Sequence, residues 1–204
     1  GDGRQLRRRD SKEMNDLRWV RWLGMIVLLA GIARMGMTPA AYVWGTDSAQ
    51  ELTFGYVACI LMSFCSIVLY QVQARESGVL GFVSVLGILI GNIFTTALLF
   101  STFIMDPSAP EPDSLAATIS GMGSMIALTG GTLLFAIVTF RANVFPRWVF
   151  YLHVLMLLSA VVPFEDNKLF ALFWGLTYVG MGYCIWTGKL NSRTSAGLEP
   201  SVGA

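Results

Sequence analysis

One arginine, Arg34, stands well inside an apolar run of 26 residues, Trp19–Trp44, which reads WVRWLGMIVLLAGIARMGMTPAAYVW. An arginine on an unaccompanied helix in hydrocarbon costs at least ~2.5–3.5 kcal/mol, so it normally faces protein or water. At 1.5 Å per helical residue Arg34 lies roughly 21 Å from the inner end of its run, in the outer half of a bilayer. The same count puts Asn92 at roughly 20 Å, and Ser120, Ser124, Ser159 and Thr177 reach similar depth from the other side. Thr38 lies one turn beyond Arg34 on the same face, and Pro39 opens the helix locally. Glu165 and Asp166, at the outer end of a later apolar run, are placed to act as counter-ions. Arg34, Thr38, Asn92, Ser120, Ser124, Glu165 and Asp166 therefore form the candidate ligand-binding set. Its chemistry is a fixed positive charge in an outward-facing polar pocket, suited to an anionic or carboxylate group. The competing reading has Arg34 snorkelling outward, or pairing with a carboxylate, merely to satisfy itself.

Other chemistry finds little support. His153 is the single histidine and cannot build a histidine-rich metal site; it reads as a polar residue near the inner interface. Cys59, Cys65 and Cys184 all fall in apolar runs without a Cys-x-x-Cys pair and read as small buried or membrane-facing residues. Gly121-Met-Gly-Ser124 only loosely resembles the Gly-x-Ser-Gly of intramembrane serine proteases. The histidine base expected from the last apolar run, LFALFWGLTYVGMGYCIW, is missing there. No acid cluster or His–Glu set lies within an apolar run. The expectation is no catalytic residue, no metal and no cofactor.

The elements that must position Arg34 follow from composition. Of 204 residues, 54% are hydrophobic and 13% charged, with mean hydropathy +0.61. Soluble domains carry about 25% charged residues, so this chain expects lipid as its solvent. Six apolar segments, at about 19–44, 52–74, 78–105, 114–140, 146–164 and 168–187, are each long enough to span. Residues 1–18 form a basic tail and 188–204 a second tail. The breaks GTDSAQE, QARES, DPSAPEPDS, RANVFP and EDN carry turn formers or charges. The first run is too long for a signal peptide, lacks a small-residue cleavage site, and is expected to be retained.

Threading follows from the cations, because Lys and Arg stay on the cytoplasmic side. With the N-terminus inside, the inner segments hold Arg4, Arg7, Arg8, Arg9, Lys12, Arg18, Arg21, Arg75, Arg141, Arg147, Lys189 and Arg193. The outer loops hold Lys168 alone and are otherwise acidic. An odd number of crossings would spoil this division. Trp19, Trp22, Tyr70, Trp148, Tyr151 and Trp186 then fall at the inner interface, and Tyr42, Trp44, Tyr56, Phe164 and Trp174 at or near the outer one, where amphipathic rings settle. Small residues mark close helix contacts in lipid: Gly87 and Gly91, then Ser120, Ser124, Ala127 and Gly131, then Gly175, Gly180 and Gly182. They predict that segments three, four and six lie together at the centre.

Leu69-Tyr70 before a short basic turn, LGFVSVLGILIGN in the third segment and FRANVFPRW between the fourth and fifth resemble a group of small bacterial six-span membrane proteins without established activity. The resemblance implies a compact six-helix bundle in a bacterial plasma membrane and no particular reaction. The expected fold is thus all-α: a polytopic six-transmembrane-helix bundle with both termini cytoplasmic, in the inner (plasma) membrane. The expected function is non-catalytic, a membrane-embedded binding or accessory protein within a larger membrane complex. The alternative is a small transporter or channel for an anionic solute that passes Arg34. Expected partners are membrane lipid and other membrane-protein subunits, with no nucleic acid.

Overall fold

The computed structural model describes residues 2–162 and 167–191, and all regular structure among them is helical. The helices are α1 (Asp2–Met35), α2 (Met37–Trp44), α3 (Ala49–Ile104), α4 (Leu115–Ala142), α5 (Arg147–Val161) and α6 (Lys168–Thr187). Four stretches are long and apolar enough to cross a membrane: 4–44, which joins α1 to α2, then α3, α4 and α6. α5 is a shorter apolar helix. The chain is therefore a membrane-embedded helical protein.

The basic tail is helical and continuous with the first apolar run. α1 ends at Gly36, three residues before Pro39, whose missing N–H leaves the Met35 carbonyl without its helical donor. α3 is not one straight rod. Gln73 (φ −121°, ψ 16°) and Gly78 (φ 57°, ψ −143°) leave helical geometry, and only glycine adopts the latter without strain. The chain folds back there into two antiparallel arms. Tyr70 stacks edge-on to Phe82 at 5.7 Å, and Tyr56 meets Phe100 and Phe103 at 6.4 and 5.9 Å. In a straight helix Tyr56 and Phe100 would be about 66 Å apart. The break QARES therefore makes a hairpin turn.

Polar loops end the helices by ordinary capping. Ser48 and Ser114 accept the N–H groups of Glu51 and Ala117, which opens α3 and α4. Asn143, with φ 53°, closes α4 in the left-handed conformation.

Two close seams hold the bundle. The second arm of α3 lies on α4, where a Cβ on Gly87 would stand 3.1 Å from the Ala127 carbonyl, and one on Gly131 would stand 2.6 Å from the Ile88 nitrogen. α6 lies on α1. A Cβ on Gly31 would come 2.5 Å from the Gly175 carbonyl, and one on Gly24 2.7 Å from the Trp186 nitrogen. Segments three and four are adjacent as expected, but segment six is not beside them: its glycines face α1, and Gly180 faces Trp148 and Leu152 of α5. Gly24 and Gly31 lie seven residues apart, as do Gly175 and Gly182, so the antiparallel helices meet at matching notches. The first arm of α3 fills the middle. Met62, Cys65 and Leu69 are buried there with Val27 and Ala30 of α1 and Tyr178, Met181 and Cys184 of α6.

Candidate functional site

Arg34 lies in the last turn of α1, where three helical elements converge, and is 5% exposed. Its Nη2 donates to Cys59 Sγ at 3.1 Å and to Met62 Sδ at 3.6 Å, both on the first arm of α3. Its Nη1 donates to Met37 Sδ at 3.4 Å, at the start of α2. The guanidinium carbon sits 4.1 Å above the centre of the Trp174 ring on α6. Tyr178, one turn further along α6, is buried within electrostatic reach of Arg34, Cys59 and Cys65. Sulfur is a weak acceptor, so the charge is balanced mainly by polarizable atoms and the negative face of an indole. Among the described residues Arg34 Nε has no hydrogen-bond partner. Among the described residues no carboxylate bonds to this guanidinium.

The remaining predicted residues are dispersed. Thr38 is buried on α2, and its hydroxyl donates to the Lys168 carbonyl at 2.6 Å, which ties α2 to the start of α6. Asn92 is buried on the second arm of α3; its Nδ2 donates to the Ile88 carbonyl, and its Oδ1 has no partner. The ring pairs along the hairpin place Asn92 opposite Met62, level with the guanidinium. Ser120 and Ser124 lie half-buried on α4, a helix that meets α3 and α5 but makes no substantial contact with α1 or α6. The Ser124 hydroxyl returns to its own helix, donating to the Gly121 carbonyl at 3.0 Å. Glu165 and Asp166 lie outside the described residues. The structure thus keeps Arg34 and Thr38 together where α1, α2 and α6 meet, sets Asn92 at their level on the second arm of α3, and leaves Ser120 and Ser124 on a separate helix.

Sequence reasoning did not find Cys59, Met62, Met37 and Trp174 as the partners of Arg34. The depth count contained the signal. Cys59 and Met62 lie about 10 and 15 Å from the start of their segment, and Arg34 lies about 15 Å from the end of its own. Cys59 read as a small buried or membrane-facing residue and Met62 carried no signal of its own, because thiol and thioether side chains usually serve as packing.

His153 is buried at the centre of α5, with Nδ1 3.0 Å from the Val149 carbonyl and its ring beside Phe135 at 5.6 Å. At the opposite end of the bundle, Gln73 at the α3 bend donates to Thr139 Oγ1 of α4 at 3.2 Å. The Asn191 N–H donates to the Val144 carbonyl at 2.8 Å, and its side-chain amide donates to Asn143, which fastens the chain after α6 to the α4–α5 turn. Among the described residues no group of three His, Cys, Asp or Glu side chains is placed to hold a metal ion.

Fold and centre together define a membrane-embedded helical bundle with a buried, sulfur-coordinated guanidinium. Comparison of the chain with protein-family models, curated proteins and solved structures finds no match.

Proposed function

We propose that this is a non-catalytic accessory protein of a membrane complex, crossing the bilayer six times with both ends on the cytoplasmic side. The six crossings are α1 with α2, the two arms of α3, α4, α5 and α6. The hairpin in α3 supports the even count, because it turns at Arg75 and Glu76 on the same end as the basic tail.

The observation that carries the accessory reading is the state of α4. Only 28% of its membrane segment is buried within the chain, against 44% for α3 and 50% for α6. Its open face carries Met122, Ile126, Leu133 and Ile137, with Gly130 beside them having open space at its Cβ position. Glycines exposed on a membrane helix let a second helix approach its backbone closely. The experiment is purification from native membranes in mild detergent, followed by mass analysis of the intact particle. A stoichiometric second polypeptide, lost when Gly130 is changed to Leu, is the expected result. A lone monomer in native membranes removes the accessory reading.

A second reading, binding or passage of an anionic solute, rests on Arg34 Nε, a buried donor without a partner among the described residues.

A further inference from the structure

The inner end of the first membrane segment carries a feature that neither reading uses. Asn15, Arg18, Trp19 and Trp22 line an open cleft of about 360 Å³ on α1, at the point where the helix passes from polar to apolar sequence. Trp19 and Trp22 are 68% and 55% exposed, although Trp22 also stacks edge-on against Trp186 of α6 at 5.2 Å. Exposed indoles at this position belong in the layer of lipid headgroups and glycerol, where an amphipathic ring is most stable. That places the Arg18 guanidinium and the Asn15 amide at the height of the lipid phosphates.

The cleft is also the foot of a cationic stripe. Arg4, Arg8, Ser11, Asn15, Arg18 and Trp22 recur at spacings of three and four, which is one face of a helix. Arg21 lies one turn from Arg18 and reaches across to α6, its Nη2 standing 3.6 Å from the position of a Cβ on Gly188. Asp10 and Asp16 project from other sectors of α1, about 120° away from the stripe, and do not neutralise it. Arginine suits phosphate because its planar fork offers paired donors.

We propose that the cleft of Asn15, Arg18, Trp19 and Trp22 is a binding site for the phosphate headgroup of an anionic phospholipid. Arg18 and Asn15 donate to the phosphate, the two indoles flank the glycerol and upper chains, and Arg21 adds the second charge that favours an anionic over a zwitterionic lipid. The site is independent of the accessory reading, since it needs only that the chain is embedded in a bilayer.

The test reconstitutes the full-length protein in nanodiscs of phosphatidylcholine and phosphatidylglycerol and counts retained lipid by native mass spectrometry. A cation near an anionic surface is worth about fivefold in affinity. Wild type is expected to retain phosphatidylglycerol over phosphatidylcholine. Arg18→Gln should lower that retention about fivefold and Arg18→Lys should restore most of it, while Arg4→Gln with Arg8→Gln leaves it unchanged. Equal retention of the two lipids by wild type overturns the proposal. So does an Arg18→Gln protein that retains as much as wild type. A loss in the Arg4/Arg8 pair as large as in Arg18→Gln also overturns it, by showing diffuse attraction along the helix. Adding inorganic phosphate at constant ionic strength separates the sources: the lipid should stay bound, and its release by phosphate would mean a site for the free ion.

Discussion

Arg34, buried with no carboxylate partner among the described residues, is the residue with most at stake. Removing an ion of this size from water carries a penalty of several kcal/mol, and sulfur acceptors return little of it. The Trp174 face returns about 2 kcal/mol when desolvated. Arg34→Leu should therefore fold with stability within about 1 kcal/mol of wild type, since an apolar side chain removes the penalty together with the weak bonds. Arg34→Lys should be the damaging change, by about 2 kcal/mol. Lysine keeps the charge but loses the planar group that stacks on Trp174 while reaching Cys59 and Met37 at once. Thermal unfolding in detergent ranks the two variants. If leucine proves the worse substitution, the guanidinium is a structural bolt rather than a tolerated charge. Its place in the bundle was legible from depth and polarity. Its partners were not, because nothing in a string of apolar letters distinguishes a cysteine that faces a cation from one that faces a leucine.

At the scale of elements, the glycines were correctly read as contact points and incompletely paired. Gly87 and Gly91 predicted a neighbour for the second arm of α3, and Gly131 of α4 supplies it. Gly175 and Gly182 were assigned to the same centre, but their match in spacing is Gly24 and Gly31 of α1. The first segment was read through its arginine and tryptophans, so its own glycine interval went unused. The two kinds of glycine make opposite predictions. Gly175→Ala puts a methyl group against the Gly31 carbonyl and the backbone nitrogen of Met35, atoms of a helix that cannot move aside without parting α1 from α6. Overpacking of that kind costs about 1–3 kcal/mol. Gly121→Ala meets nothing within 4 Å and should raise stability by up to about 1 kcal/mol through helix propensity. Unfolding of the two variants in one detergent gives the comparison. A destabilised Gly121→Ala would mean that an unseen neighbour already occupies that face.

For the whole molecule, hydropathy and charge together made the all-helical, membrane-embedded class legible, whereas the path of the chain needed geometry. Helix length alone yields four long apolar stretches, because the two arms of α3 join at Gln73–Gly78 with no intervening loop and so count as one stretch from Ala49 to Ile104. The dihedrals of Gln73 and Gly78 and the facing rings of Tyr70 with Phe82 and of Tyr56 with Phe100 and Phe103 show that it doubles back. α5 is about 22 Å long, shorter than the ~30 Å hydrocarbon layer, so the crossing proposed for it requires flanking residues or local thinning of the bilayer. Side-specific cysteine labelling tests the threading directly. The native thiols Cys59, Cys65 and Cys184 are buried and should stay silent. Single cysteines at the exposed positions of Lys12, Glu76 and Lys189 should react only when reagent reaches the cytoplasmic face, and those at Asp47 and Asp106 only from the opposite one. The Glu76 position discriminates most sharply. It lies at the α3 turn, so labelling from the same side as Asp47 means that the hairpin does not traverse. Lys12 and Lys189 reacting from opposite sides would make the number of crossings odd, and the separation of cations from acids along the chain would then have no topological cause.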